Sequence, residues 1–271
     1  MKAILCFLAL SLTAQAADWR LVWSDEFDKP GAPDAAKWTY EKGFVRNEEL
    51  QYYTADRREN ARVENGSLII EARQETFANA FYKEGSESWM TNRKEANYTS
   101  AALITKKLKP FYYGKVEVRA KLPSGKGTWP AIWMLGDNKG GRWPMCGEID
   151  IMEFVSHQPG VVHATIHFAK PGTTEPQQIT GTTRSDTLHS EFHVYGLEWD
   201  EKSFTFLFDG KPYKTIDLDV AGAGADNPFR KPDAFYLMLN LAIGGKWGGE
   251  ADPKVYPQRF EIDWVKAWEK P

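Results

Sequence analysis

Val116-Glu117-Val118-Arg119-Ala120-Lys121-Leu122 alternates apolar and charged side chains without a break. A period of two belongs to a half-buried β-strand, whose successive side chains point to opposite faces of a sheet. The pattern returns in Phe204, Phe206 and Phe208, and that run closes at Asp209-Gly210, a dipeptide suited to a two-residue hairpin turn. Segments 67–71, 192–199, 234–241 and 260–268 supply four more strands, and Pro and Gly lie mostly between such runs. No long amphipathic helical stretch, fixed-period repeat or low-complexity linker interrupts them. Many short strands separated by turn signals predict an all-β chain with a single antiparallel sandwich.

Composition narrows the function classes. The 271 residues carry 34 Lys+Arg against 37 Asp+Glu, a net charge of -3, with ample apolar content. That balance excludes intrinsic disorder and a nucleic-acid binder that works through a basic surface. Eleven tryptophans suit either a rich core or flat faces on which sugar rings stack. The first residues read separately: Met1-Lys2, an apolar run from Ala3 to Leu12, and Ala14-Gln15-Ala16 as a small-x-small cleavage pattern. Residues 1–16 are therefore expected to be a secretory signal peptide, and the product to be secreted, extracellular or periplasmic. No later segment offers the ~20 apolar residues of a membrane span. Loss of Cys6 with the signal leaves Cys146 alone, so no internal disulfide is expected, and Cys146 reads as a small packing residue.

Several familiar catalytic patterns are missing, among them G-x-S-x-G, H-E-x-x-H and a phosphate loop. Gly222-Ala223-Gly224 lacks the third glycine of a dinucleotide fingerprint and reads as a plain loop. His163 and His167 share one parity of a strand, but a catalytic zinc needs a third nearby ligand, so hydrogen-bonding roles are favoured. The chemistry concentrates instead in Trp143-Pro144-Met145-Cys146-Gly147-Glu148-Ile149-Asp150-Ile151-Met152-Glu153-Phe154. On a strand, Glu148 and Asp150 share a face, and strict alternation turns Glu153 away from it. One extra residue, a bulge near Ile151-Met152, brings Glu153 back. Three acids on one face repel one another, so at least one is expected to titrate high. A nucleophilic carboxylate beside a protonated one is the requirement of glycosidic cleavage. A solvated polar edge would accommodate Lys or Thr as readily and leaves the neighbouring tryptophans without a use.

This segment resembles the active-site strand of glycoside hydrolase family 16, the β-jelly-roll β-glucanases, and within it the laminarinase branch of endo-β-1,3-glucanases. Six further blocks follow the family's order: Trp23 to Phe27, Asn47 to Tyr53, Gly127 to Leu135, His163 to Phe168, Leu239 to Gly245, and Ile262 to Val265. The resemblance implies one β-jelly-roll catalytic domain over 17–271 with a concave substrate cleft. It implies Glu148 as nucleophile, Glu153 as general acid/base and Asp150 as the acid between them, in a hydrolysis that retains configuration. It further implies a monomer acting on laminarin-type β-glucan, with mixed-linkage glucan as a second substrate, and with neither nucleic acid nor membrane as partner.

Retention calls for working carboxyl groups ~5–5.5 Å apart, whereas five residues of straight strand span ~16 Å; only a bulged, curved strand closes that gap, so the sequence permits the spacing without forcing it. Asn47, Trp129, Trp133, Trp143, His167, Asn240 and Trp247 are the expected substrate contacts, because sugar sites mix aromatic faces with hydrogen-bonding side chains. Trp199, Trp264 and Trp268 are expected in the core. No cofactor is expected for catalysis. A structural calcium is implied by resemblance, at Glu26, the carbonyl of Gly66 and Asp263. Thr99-Ser100-Ala101-Ala102-Leu103 departs from the pattern, with Ala102 where the family often has arginine. Fixed guanidinium donors would then come from another side chain, or the subsites differ. A transglycosylase would use the same residues, and a non-catalytic glucan-binding protein would characteristically have lost the glutamates.

Overall fold

A computed structural model describes residues 19–137, 141–224, 227–230 and 235–270. The expected signal peptide, with Cys6, lies outside them. The strands run β1 (Arg20–Asp25), β2 (Thr39–Tyr40), β3 (Gln51–Tyr53), β4 (Ala61–Glu64), β5 (Ser67–Ala78), β6 (Glu95–Ser100), β7 (Ala102–Ile104), β8 (Gly114–Lys121) and β9 (Thr128–Gly136). They continue with β10 (Glu148–Glu153), β11 (Val161–Ala169), β12 (Pro176–Arg184), β13 (His193–Trp199), β14 (Ser203–Phe208), β15 (Lys211–Asp217), β16 (Phe235–Ile243) and β17 (Gln258–Glu269). One sheet has the order β12-β11-β10-β9-β16-β7-β2. The other runs β15-β14-β13-β8-β17-β5-β6-β3, with β1 added to β17 and β4 to β5. All pairs are antiparallel except β3 with β6. The chain is an all-β jelly-roll sandwich.

The alternation that opened the sequence reading is what builds the core. Val116, Val118 and Ala120 of β8 are buried while their charged neighbours are not. Phe204 and Phe206 are fully buried, and the hairpin turn after β14 places Asp209 and Gly210 at φ 49° and 72°, the left-handed pair such a turn needs. In the second sheet Ile132, Met134, Leu237, Leu239, Leu241 and Ile149 face that same core. Burying these side chains contributes roughly 1.5–3 kcal/mol each.

Both faces of β9 and β16 are nonetheless covered, which is why they read as continuous apolar runs. Their second face carries Trp129, Ala131 and Trp133 on one strand and Tyr236, Met238 and Asn240 on the other. That face is the concave one.

Two tryptophans depart from expectation. Trp199 is buried, but Trp264 and Trp268 are only half-buried. The register of β17 against β8 shifts between Ile262 and Trp264. Beyond the shift, Val265 and Ala267 take the core parity, so Trp264 and Trp268 fall on the outer face. There Lys266 and Lys115 sit over their rings, at 4.6 and 5.2 Å from the centroids.

Candidate active site

Gly147 at φ 75° delivers the chain into β10, and a Cβ there would stand 2.9 Å from Phe229. From Glu148 onward β10 is read on both sides. Against β9, Glu148 pairs with Leu135, Asp150 with Trp133, Met152 with Ile132 and Glu153 with Ala131. Ile151 is the residue without a partner, and both it and Met152 turn into the core. This bulge lies at the Ile151-Met152 position, where one extra residue is expected to bring Glu153 back. It returns Glu153 to the concave face, so that the three acids meet Leu135, Trp133 and Ala131 on one side and His167, Thr165 and His163 on the other.

The cleft above them has a volume of about 880 Å³. Glu148, Asp150, Glu153, Asn47, Trp129, Trp133, Trp143, His167, Asn240 and Trp247 all line it. Their situations differ. Trp143 is open, 48% exposed, and its ring lies 6.2 Å from that of His167. Trp129 points its indole Nε1–H at Glu153 Oε1 at 2.9 Å and meets Trp247 edge-on at 5.4 Å. Asn240 is buried, with its amide committed to the protein: Oδ1 accepts from Trp133 Nε1 at 2.7 Å and Nδ2 donates to the Tyr53 hydroxyl at 3.0 Å. It positions Trp133 rather than presenting a free amide.

Asn47 sits at φ 54° in the loop before β3, and its carbonyl accepts the Lys246 N–H at 2.9 Å. This ties the loop to the turn that carries Trp247. The turn needs Gly245, whose φ is +69° and whose Cβ would fall 2.7 Å from the Asn47 carbonyl oxygen.

Burial dominates the electrostatics. It pushes the Glu148 carboxyl up to about 8, with the neighbouring Asp150 charge adding to the rise. Burial raises Asp150 as well, against a hydrogen bond with Glu148 that favours its ionised form. Glu153 is raised well above its ordinary value, by burial and then by Asp150, while the Trp129 hydrogen bond works the other way. The cluster therefore keeps protons at neutral pH, as crowded carboxylates must. His167 Nε2 lies 3.2 Å from Asp150 Oδ2 and 3.8 Å from Glu148 Oε1. His163 is engaged with Gln158 at 3.1 Å and packs on Trp247, the hydrogen-bonding role expected of it. Cys146 is buried, and burial pushes its thiol up to about 11, which suits packing rather than redox work.

The expected calcium ligands border a gap in one edge of β17. β5 pairs with β17 up to Leu68↔Ile262, and β1 pairs with it from Asp25↔Val265. Asp263 lies in the interval, with Glu26 and Gly66 at the two strand ends bordering it. Two carboxylates and a carbonyl are the oxygen donors calcium prefers. Each carboxylate also has a basic partner, Lys266 for Glu26 at 3.3 Å and Arg119 for Asp263 at 2.5 Å.

Reading the sequence did not single out Arg46 or Glu49, both of which line the cleft. Arg46 directly precedes the Asn47 block, but nothing local says that its loop crosses the concave sheet.

A concave β-sheet whose floor carries three carboxyls, Asp150 buried and Glu148 and Glu153 half-buried, amid aromatic side chains is the site of a glycoside hydrolase. The profile of the glycosyl hydrolases family 16 matches residues 48–266, and the chain belongs to that family. It is 43% identical over 265 residues to a β-glucanase of Rhodothermus marinus, covering 94% of this chain and 86% of that protein. Among solved structures, it is similar to one from work on endo-acting O-glycanases that gut bacteria express to initiate mucin breakdown. That likeness has a TM-score of 0.87 at 43% identity and covers 93% of this chain and 91% of the other. A variant of LamA from Z. galactanivorans, in complex with laminaritriose and laminaritetraose, matches with a TM-score of 0.79 at 37% identity, covering 94% of this chain and all of that one.

Proposed function

We propose that this chain is a secreted, retaining endo-β-1,3-glucanase that cleaves laminarin-type glucans. The observation that carries the mechanism is the single-residue bulge at Ile151, which sets Glu148, Asp150 and Glu153 side by side on the cleft floor. Glu153, held protonated by burial, gives its proton to the glycosidic oxygen as the bond to the leaving sugar breaks. Because its Oε1 accepts from Trp129, the proton is carried on Oε2. Glu148 attacks the anomeric carbon and forms a glycosyl-enzyme ester. At rest the proton lies on Glu148 in its hydrogen bond with Asp150, and its transfer to Asp150 ionises the nucleophile for attack without creating three adjacent charges. Glu153, now a carboxylate, takes a proton from the water that hydrolyses the ester. The likeness to a β-glucanase and to a laminarioligosaccharide complex supports β-1,3-glucan as substrate. Likeness to an endo-1,3-1,4-β-glycanase and to a non-specific endo-β-1,3(4)-glucanase supports mixed-linkage glucan as a second substrate.

A second reading has its own support. The likeness to the structure from the work on endo-acting O-glycanases is as strong in identity as that to the β-glucanase. The exchange at Ala102 also changes a position expected to bind sugar. Initial rates on laminarin, lichenan, curdlan, agarose and mucin O-glycans separate the readings, and laminarin is expected to be cleaved fastest. Faster release of oligosaccharides from mucin O-glycans would replace the glucanase reading. NMR of the first product gives the anomeric outcome, and inversion would sink the mechanism. Products longer than the substrate would show transglycosylation. We also assign a structural calcium to Glu26, the Gly66 carbonyl and Asp263, where the ion would pin the abutting ends of β1 and β5 against β17. The protein is proposed to act as a monomer.

A further inference from the structure

Ala102 of β7 is fully buried and pairs with Asn240 across the sheet. The Glu41 N–H donates to its carbonyl at 3.0 Å, so the segment after β2 lies along this strand. That segment leads to Arg46, whose guanidinium carbon stands 4.9 Å from the centroid of the Trp133 ring, with a hydrogen bond to Glu41 holding it there. Trp133 is 6% exposed, and the Arg46 side chain is 22% exposed. Of the pair, the Arg46 side chain is thus the more accessible member, although its Nη1 is itself buried. Its Nη2 is committed to Glu41, while Nη1 has no hydrogen-bond partner among the described residues, leaving donor capacity unspent. Arg46 is also the only Arg or Lys among the described residues lining the cleft, where it faces the carboxyls of Glu49, Glu148, Asp150 and Glu153.

We propose that Arg46 is the specificity-determining residue of the subsite beside the three acids. A sugar ring there meets the guanidinium instead of the open face of Trp133. Arg46 supplies from a loop the fixed, planar donors that an arginine at 102 would supply from the strand. Its occupant is a neutral sugar offering hydroxyl or acetamido oxygens. Glu41 already neutralises the guanidinium, so an anionic substituent gains no net attraction at this point. The inference rests on the reading that the cleft binds a β-linked glycan.

The test is steady-state kinetics and product-length analysis on the panel above, using the polysaccharide that the wild type cleaves fastest. Arg46→Ala is expected to raise KM about tenfold, the loss of one charge-assisted hydrogen bond, with kcat changed much less and product lengths shifted. Arg46→Lys keeps the charge without the planar fork and is expected to resemble the alanine variant. Ala102→Arg in the Arg46→Ala background returns a guanidinium by the other route and is expected to recover part of the loss. Thermal melts of each variant identify any that fail to fold, and Arg46→Lys is the variant least exposed to that failure. Unchanged KM and product lengths in Arg46→Ala, or wild-type behaviour in Arg46→Lys, overturns the proposal. A wild type that ignores laminarin but cleaves another glycan counts against the glucanase reading alone, because the Arg46 comparison is then made on that glycan.

Discussion

Trp129 Nε1 and Glu153 Oε1 lie 2.9 Å apart, and this bond joins an aromatic wall of the cleft to the acid expected to protonate the leaving sugar. It favours the ionised form of a carboxyl that burial otherwise holds protonated. Trp129→Phe keeps the wall and removes the donor. Glu153 should then titrate higher still, moving the alkaline limb of kcat/KM to higher pH, with about a tenfold fall in rate from the lost orientation. An unmoved alkaline limb would show that this bond does not tune the acid.

The assignment of roles separates in the two glutamates. Glu148→Ala is expected to abolish hydrolysis while leaving the fold and glucan binding nearly intact, since no other group can form the ester. Glu153→Ala should slow natural glucans strongly and spare substrates with activated leaving groups, which need little protonation. Azide should rescue the Glu153 variant with retained configuration and the Glu148 variant, where it does so, with inversion. Asp150→Asn should keep measurable activity. Exchanged rescue outcomes would reverse the roles.

Crowding the acids has a stability signature. The Glu148 carboxyl is raised in the fold to about 8, from an ordinary value of 4.5. The folded protein therefore holds a proton that the unfolded chain releases above about pH 4.5. Stability is fully present below that pH and falls as pH rises toward about 8. Glu148→Gln removes the penalty and is expected to stabilise by about 1–3 kcal/mol at pH 8, with no gain at pH 4. Melting temperatures of both proteins across that range give the answer, and a gain that is constant with pH would assign it to packing.

The calcium proposed at the β17 gap predicts a metal-dependent melting temperature. A site filled to 100 times its dissociation constant contributes about 2.7 kcal/mol, which for a chain of this size is a shift of about 5 °C or more. Chelator should lower the midpoint and calcium should restore it. Asp263→Ala should abolish that response without affecting catalysis. A chelator-insensitive melt would leave Glu26 and Asp263 as ion-pair partners of Lys266 and Arg119 only.

Much of this molecule follows from local pattern. The alternation in β8 and β14, the Asp209-Gly210 turn and the order of the three acids are written along single strands, because a strand's own geometry decides which side chains share a face. That a bulge near Ile151-Met152 would return Glu153 to the acidic face was legible for the same reason. What the sequence by itself could not determine is anything decided between strands. Ile151 drops out of register because β9 and β11 hold Asp150 and Glu153 opposite Trp133 and His163, a choice made by two neighbours distant in the chain. Trp264 and Trp268 lie outside the core because β17 slips against β8 at Asp263. Arg46 covers Trp133 because a loop crosses the concave sheet, bringing together side chains 87 residues apart in the chain. Periodicity records the face of each residue within its own strand, whereas register shifts and loop crossings are settled by packing among segments, and only the tertiary structure holds that information.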